Sequence, residues 1–278
     1  MSIQDALTPA GLLEYVVRLS GVPGLSFEPL VVSPAKGYEL LAEAFGVEPA
    51  ELQAIRDGLR ARVAAAADAL LAEAGFVDKL RAVPAPEGGT VVVVGDSTSA
   101  DLLSWAYLLG ALLERTRPDL NFVNRAVSGR TTAETIATAA GLIAAQPDTV
   151  FLLVGANDAR RHGALANVRM ASLEETTRNF AELKRLIELE THAQIVAVAP
   201  APFDPSVGEA QREQGMWFLP DDLAEVVRAF CGVFPEAIRL DSAADGLAAQ
   251  FWSFDGVHPS LDGHTAILRT VVDALASA

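Results

Sequence analysis

Ser97, Gly129, Asn157, Asp255 and His258 are the residues of this chain whose types could together transfer an acyl group. A serine hydroxyl is a weak nucleophile until a neighbouring base takes its proton, and His258 could be that base. Asp255 lies three residues before the histidine, so a tight turn can bring its carboxylate to the imidazole. There it would hold the tautomer and stabilise the imidazolium. The backbone N–H groups of Ser97 and Gly129 and the side-chain amide of Asn157 could form an oxyanion hole. One such donor is typically worth about 3–4 kcal/mol of transition-state stabilisation. Glycine at 129 would let the backbone approach the oxyanion. Each residue also has an ordinary alternative. Ser97 could cap a helix, Gly129 could be a turn residue, and Asn157 and Asp158 could be caps or turns. Asp255 could pair with a nearby base, and His258 could be a satisfied loop histidine. It is the set that points to acyl transfer.

The elements around these residues favour their convergence. Residues 90–94 are β-branched without interruption and read as a strand buried on both faces, as at the centre of a parallel sheet. Gly95-Asp96-Ser97 breaks the run. Leu102, Leu103, Ala106, Leu109, Leu112 and Leu113 then recur at helical spacing. Ser97 is thus expected on a strand-to-helix turn, where open α/β sheets bind ligands and where a helix offers unpaired N–H groups. Further strands are expected at 121–127, 149–154, 194–199 and 237–240, and helices at 99–115, 132–145, 172–190, 221–231 and 261–276. The segment 124–131 (NRAVSGRT), GAND at 155–158 and DGVHP at 255–259 fall at strand ends or just before the last helix. Alternating strands and helices predict an α/β fold, a three-layer α/β/α sandwich on a parallel sheet.

Residues 1–89 have a different pattern and are expected to form a helical N-terminal extension, with the main domain at 90–278. Thr8-Pro9 can start a short helix with Leu12, Leu13, Val16 and Val17 on one face. A Pro/Gly-rich loop at 21–37 and a second short helix at 38–45 follow. Pro49 opens an apolar stripe running from Leu52 to Val77, weakened locally by Gly58 and Gly75. The Pro84-Ala85-Pro86 stretch reads as a linker. The extension could pack on the outside of the main domain, cover the site as a lid, or serve as an arm for homo-oligomerisation.

Composition narrows the function. The net charge is −15 with acidic residues spread along the chain, which argues against nucleic acid or an anionic membrane as the main partner. No run approaches the ~18 apolar residues a spanning helix needs, and the N-terminus lacks the pattern of a secretory signal. The single cysteine, Cys231, in an apolar stretch, reads as a small buried hydrophobe and fits a cytoplasmic setting. HExxH, CxxC, GxSxG, a Walker loop and GxGxxG after a strand are all missing, so neither a metal nor another cofactor is expected. His264 is expected in the core or on the surface, and His162 and His192 on the surface. Arg160 and Arg161 could bind an anionic group of a substrate. The connection at 201–220 is long enough to be functional, and Met216, Trp217, Phe218 and Leu219 could line an acyl pocket or anchor the extension.

With these blocks in view, the chain resembles the SGNH hydrolases, also called GDSL-type esterases and lipases. The blocks read VVVVGDSTS with Ser97, VNRAVSGRTT with Gly129, VGAND with Asn157 and DGVHPSLDGH with Asp255 and His258. They stand in the family's order, over roughly residues 90–278. The leucine of the GDSL motif is Thr98 here, a position that does not touch the chemistry. The resemblance implies a flavodoxin-like, five-stranded sheet and a Ser–His–Asp triad in an open, shallow site. It implies a serine esterase or acyl hydrolase acting on a small ester or thioester through an acyl-enzyme on Ser97. An acyltransferase with an alcohol or sugar acceptor, or a non-catalytic binding protein on the same fold, are the alternatives. The extension before residue 90 lies outside the resemblance.

Overall fold

The computed structural model describes residues 9–20, 39, 42, 43, 45–163, 168–204, 215–247 and 250–277. The loop expected at 21–37, much of the helix expected at 38–45 and the middle of the 201–220 connection lie outside them. Helices α1 (Pro9–Ser20), α2 (Pro49–Leu71) and α3 (Phe76–Leu80) precede strand β1 (Thr90–Gly95). Helices α4 (Ser97–Ala100) and α5 (Trp105–Thr116) lead to β2 (Asn121–Asn124), and α6 (Thr132–Ala137) and α7 (Ala139–Ala144) lead to β3 (Thr149–Leu153). Then come α8 (Ala156–Ala159), the short strands β4 (Arg161–His162) and β5 (Val168–Arg169), and helix α9 (Leu173–Glu190). Strands β6 (Gln194–Ala197) and β7 (Met216–Trp217) and helices α10 (Pro220–Val233) and α11 (Leu261–Ser277) complete the chain.

The main sheet is parallel, with spatial order β2-β1-β3-β6. Among the described residues it has four strands, where five were expected. The segment at 237–240 adds only one parallel bridge, Val198 to Ile238. There Ala199 N donates to Ile238 O and Ile238 N to Ala197 O, each at 2.9 Å, and among the described residues no second bridge follows. Beside this sheet, β5-β4-β7 form a small antiparallel one.

Successive β1 and β3 side chains point to opposite faces, and each face is covered. Val91, Val93, Phe151 and Leu153 join a core with helices α5 and α11. Val92, Val94, Val150 and Leu152 join a second core with α9 and α10. This is the three-layer sandwich. The N-terminal helices belong to the first core: Leu52, Leu59, Val63 and Leu70 of α2 pack there with Leu108, Leu109, Leu112 and Leu113 of α5. A helix apolar on every side needs cover on every side, and α2 supplies the side of α5 turned away from the sheet. Among the described residues, no helix is long and apolar enough to cross a membrane.

Three helices differ from the periodicity for identifiable reasons. The stripe from Pro49 stops at Leu71 and resumes in α3 after Gly75, whose φ is +79°. The run at 132–145 is divided at Thr138, whose hydroxyl bonds back to Glu134 O at 3.1 Å. The run expected at 99–115 is broken at Asp101, with a ψ of 130°. There the Leu102 N–H donates to the carbonyl of Arg18 in α1 at 3.0 Å.

Candidate active site

Strands β2 and β3 flank β1, so the chain departs in opposite directions on either side of it. The crevice at the carboxyl ends of such strands is where open α/β sheets bind ligands. Ser97 follows β1 there. Gly95 permits the tight exit, since a Cβ on it would lie 2.4 Å from Leu153 O. The residue that caps α4 is Asp96, whose carboxylate accepts the Thr98 N–H at 3.0 Å, so the cap does not occupy the Ser97 hydroxyl. Asp96 is fully buried, and burial pushes its carboxyl up to about 6. Ser99 is tied to Trp105 Nε1 through its hydroxyl and to Asn124 Nδ2 through its carbonyl, which anchors the turn to α5 and β2.

His258 Nε2 lies 2.9 Å from Ser97 Oγ, and His258 Nδ1 lies 2.6 Å from Asp255 Oδ2. The other carboxylate oxygen accepts the backbone N–H groups of Val257 and His258 at 3.0 and 2.9 Å. The three-residue spacing therefore makes a turn closed on its own aspartate. Desolvation pulls the imidazole down, but the charge and hydrogen bond of Asp255 together outweigh it and leave His258 above its ordinary value. Desolvation works the other way on Asp255. His258, Tyr15 and the backbone donors overcome it and hold this carboxyl well below the usual range. The arrangement can pass a proton from the hydroxyl to the imidazole and hold the resulting imidazolium against a carboxylate.

Beyond β2 the chain keeps bonding to β1, with Arg125 N to Val93 O at 2.8 Å and Val127 N to Gly95 O at 3.0 Å. This continuation carries Ser128 and Gly129 to the serine's side, although the assigned strand stops at Asn124, short of the 127 expected. Gly129 has a φ of +79°, while a Cβ there would meet nothing within 4 Å. A positive φ of this size is one that glycine adopts without strain. Among the described residues, neither the Ser97 nor the Gly129 N–H has a hydrogen-bond acceptor. Asn157 follows β3. Its amide donates to Arg130 O at 3.2 Å and its oxygen accepts from Arg160 Nη1 at 3.3 Å, which leaves one amide N–H uncommitted.

These groups line a cleft of about 120 Å³ together with Tyr15, Phe203, Met216 and Phe218. Of the expected substrate-binding residues, Arg160 and Phe218 line it and Arg161 and Trp217 do not. Arg161 Nη2 bonds Asp222 Oδ1 at 2.9 Å, and Trp217 donates to Gly163 O at 3.0 Å. Both sit in the small antiparallel sheet, where successive side chains alternate faces. This alternation turns them away while Arg160, Met216 and Phe218 face the cleft. His264 is fully buried against Asp101, as one of its two expected placements had it. His162 is half-buried rather than at the surface, and Cys231 is half-exposed beside Arg239 rather than buried. Asp158 bonds Thr132 and Thr176, tying α8 to α6 and α9.

Two residues at this site had no local signal in the sequence. Tyr15 of α1 donates its hydroxyl to Asp255 Oδ2. Arg18, one turn on, reaches buried Asp101. Nothing within α1 distinguishes them, because their partners lie 240 and 83 residues away.

A serine, a histidine and an aspartate within hydrogen-bonding reach at the crevice of a doubly wound sheet are the arrangement that a serine hydrolase requires. A profile of the GDSL-like Lipase/Acylhydrolase family matches residues 93–266, and the chain belongs to that family. No curated protein sequence matches the chain. Among solved structures it is similar to the lipase/acylhydrolase from Enterococcus faecalis, at 20% identity and a TM-score of 0.54, covering 68% of this chain and 96% of that one. An alpha/beta hydrolase enzyme from the metagenome of Lake Arreo, Spain, is similar at 22% identity and a TM-score of 0.53, covering 70% and 97%. An acetyl xylan esterase is similar at 13% identity and a TM-score of 0.52, covering 66% and 98%. At these identities the structural matches speak to the fold.

Proposed function

We propose that this hydrolase cleaves small carboxylic esters through an acyl-enzyme on Ser97. The observation that carries the reading is the relay of 2.9 and 2.6 Å from Ser97 through His258 to Asp255. Ser97 Oγ attacks the ester carbonyl as His258 Nε2 takes its proton. The oxyanion is held by the N–H groups of Ser97 and Gly129 and the free amide N–H of Asn157. Collapse breaks the bond to the leaving oxygen, which takes the proton from His258. Water then attacks the acyl-enzyme with His258 again as base, releasing the acid and restoring the serine. At about 120 Å³ the cleft is smaller than the roughly 300–1,000 Å³ usual for drug-sized ligands, which favours a short acyl group against Phe203, Met216 and Phe218. Arg160 on the same wall favours a substrate bearing a carboxylate or phosphate.

A fluorophosphonate probe tests the nucleophile. The adduct is expected on the peptide carrying Ser97, with stoichiometric loss of hydrolysis of short p-nitrophenyl esters. Labelling elsewhere with activity lost in step would overturn the assignment. In the same assay, carboxylate-bearing short esters are expected to outrun neutral ones.

The pH profile follows from the environment of His258. Its neutral form is the base, and its pKa is raised above the ordinary 6.5. Activity should therefore be lost as pH falls, and kcat/KM should rise through a midpoint above about 6.5. A midpoint clearly below that value would show that the carboxylate is not acting on the imidazole as described.

A further inference from the structure

Helix α1 lies outside the matched residues 93–266, yet it enters the site. The Tyr15 hydroxyl donates to Asp255 Oδ2, the oxygen that also accepts from His258 Nδ1, and lies 3.5 Å from that nitrogen. The ring packs on Phe254 at 4.8 Å and meets the His258 ring edge-on at 6.3 Å. It also lines the cleft beside Ser97.

Arg18 clamps the helix that carries this tyrosine. Its Nε donates to both Asp101 oxygens at 2.8 and 2.7 Å, its Nη1 to Ser253 Oγ at 2.9 Å and its Nη2 to Pro259 O at 2.5 Å. Its carbonyl accepts the Leu102 N–H. One side chain thus joins the segment following Ser97 to the loop holding Asp255 and His258. Leu13 and Val17 are buried in the core shared with the sheet. The helix is built into the site and is not merely laid over it.

We propose that Tyr15 is a positioning residue of the hydrolytic relay: its hydroxyl fixes the Asp255 carboxylate and, through it, sets the basicity of His258. The proposal rests on the reading of Ser97, His258 and Asp255 given above. With Tyr15 in place, Asp255 accepts four hydrogen bonds, two per oxygen, which fills the directions a carboxylate offers. The carboxylate cannot rotate without breaking several of them. Burial and the Asp255 charge hold the phenol well above its ordinary pKa, so it remains a donor. A hydroxyl donating to Asp255 draws negative charge away from the oxygen that faces the imidazole, and so lowers the proton affinity of His258.

The test is a pair of opposed changes at position 15. Tyr15→Phe keeps the ring and removes the hydroxyl. It is expected to lower kcat about tenfold with KM little changed. The acid limb of kcat/KM should move to higher pH, because Asp255 then acts undivided on His258. Replacement of Tyr15 by 3-fluorotyrosine keeps the hydroxyl as a stronger donor, and should move the limb to lower pH. The low-field proton resonance of His258 Nδ1–H should move in both proteins, a reading that needs no substrate. Near-UV circular dichroism checks that each variant is folded. An unmoved limb and an unmoved resonance in both variants would overturn the proposal, as would a lower kcat that tracks loss of folded protein. Fluorophosphonate labelling separates the two readings. If Ser97 labels while position 15 has no effect, the positioning role falls alone; if the probe labels elsewhere, the relay itself falls.

Discussion

Asp255→Asn is expected to lower kcat by about four orders of magnitude with the fold retained. The reason lies in how the carboxylate is held. Oδ1 faces two backbone donors, Val257 N and His258 N, and only an oxygen can accept from them. An asparagine at 255 must place its carbonyl there, which turns its NH2 group toward His258 Nδ1. Two donors cannot face each other, so Nδ1 becomes the acceptor and the ring proton moves to Nε2. That nitrogen lies 2.9 Å from Ser97 Oγ and can no longer take the hydroxyl proton. The buried site also loses the charge that stabilises the imidazolium. Steady-state kinetics on a short p-nitrophenyl ester, beside a thermal unfolding curve, decides the matter. Retention of more than about a tenth of wild-type kcat would show that the carboxylate does not govern the tautomer.

Arg18→Met should destabilise the protein by about 3–5 kcal/mol, a large part of the roughly 5–15 kcal/mol typical of a native domain. Asp101 is fully buried and the Arg18 side chain is 9% exposed, so removing the guanidinium leaves a charge without compensation and without water. His264 bonds Asp101 at 3.3 Å but is itself fully buried, and desolvation holds its imidazole below its ordinary value. Adding Asp101→Asn removes the orphaned charge while keeping an acceptor for the Leu103 N–H, and should recover much of the loss. Desolvation would raise the Asp101 carboxyl, but Arg18 and His264 hold it well below its unfolded value of 3.8. A folded pKa below the unfolded one contributes stability that is present above the unfolded pKa and lost as pH falls beneath it. The single variant should lack that acid-side loss. Urea unfolding at neutral pH and at about pH 2–3, beneath the unfolded value of 3.8, measures both effects. A cost below about 1 kcal/mol at neutral pH would mean that water reaches Asp101 and screens it.

Which residues could act as nucleophile, base, carboxylate and oxyanion donors was legible in the chain because each stands beside a local signal. Ser97 follows an unbroken β-branched run, Asn157 follows an apolar one, and Asp255 and His258 share a single turn. Those signals work over a few residues, the range of strand pairing, turn formation and capping. The two layers of helices were legible for the same reason, from the period of the apolar positions. Where local propensity is weak, tertiary contacts decided the outcome. The segment at 237–240 makes a single bridge, Val198 to Ile238, and so adds no fifth strand. The helix expected from residue 99 breaks at Asp101 because Arg18 claims that carboxylate and the neighbouring N–H. Alternation in a two-residue strand turns Arg161 to Asp222, away from the cleft that Arg160 lines. Tyr15 was beyond the reach of any local pattern: what places it on Asp255 is the burial of α1 against the core and one buried ion pair, interactions that exist only once distant segments have packed.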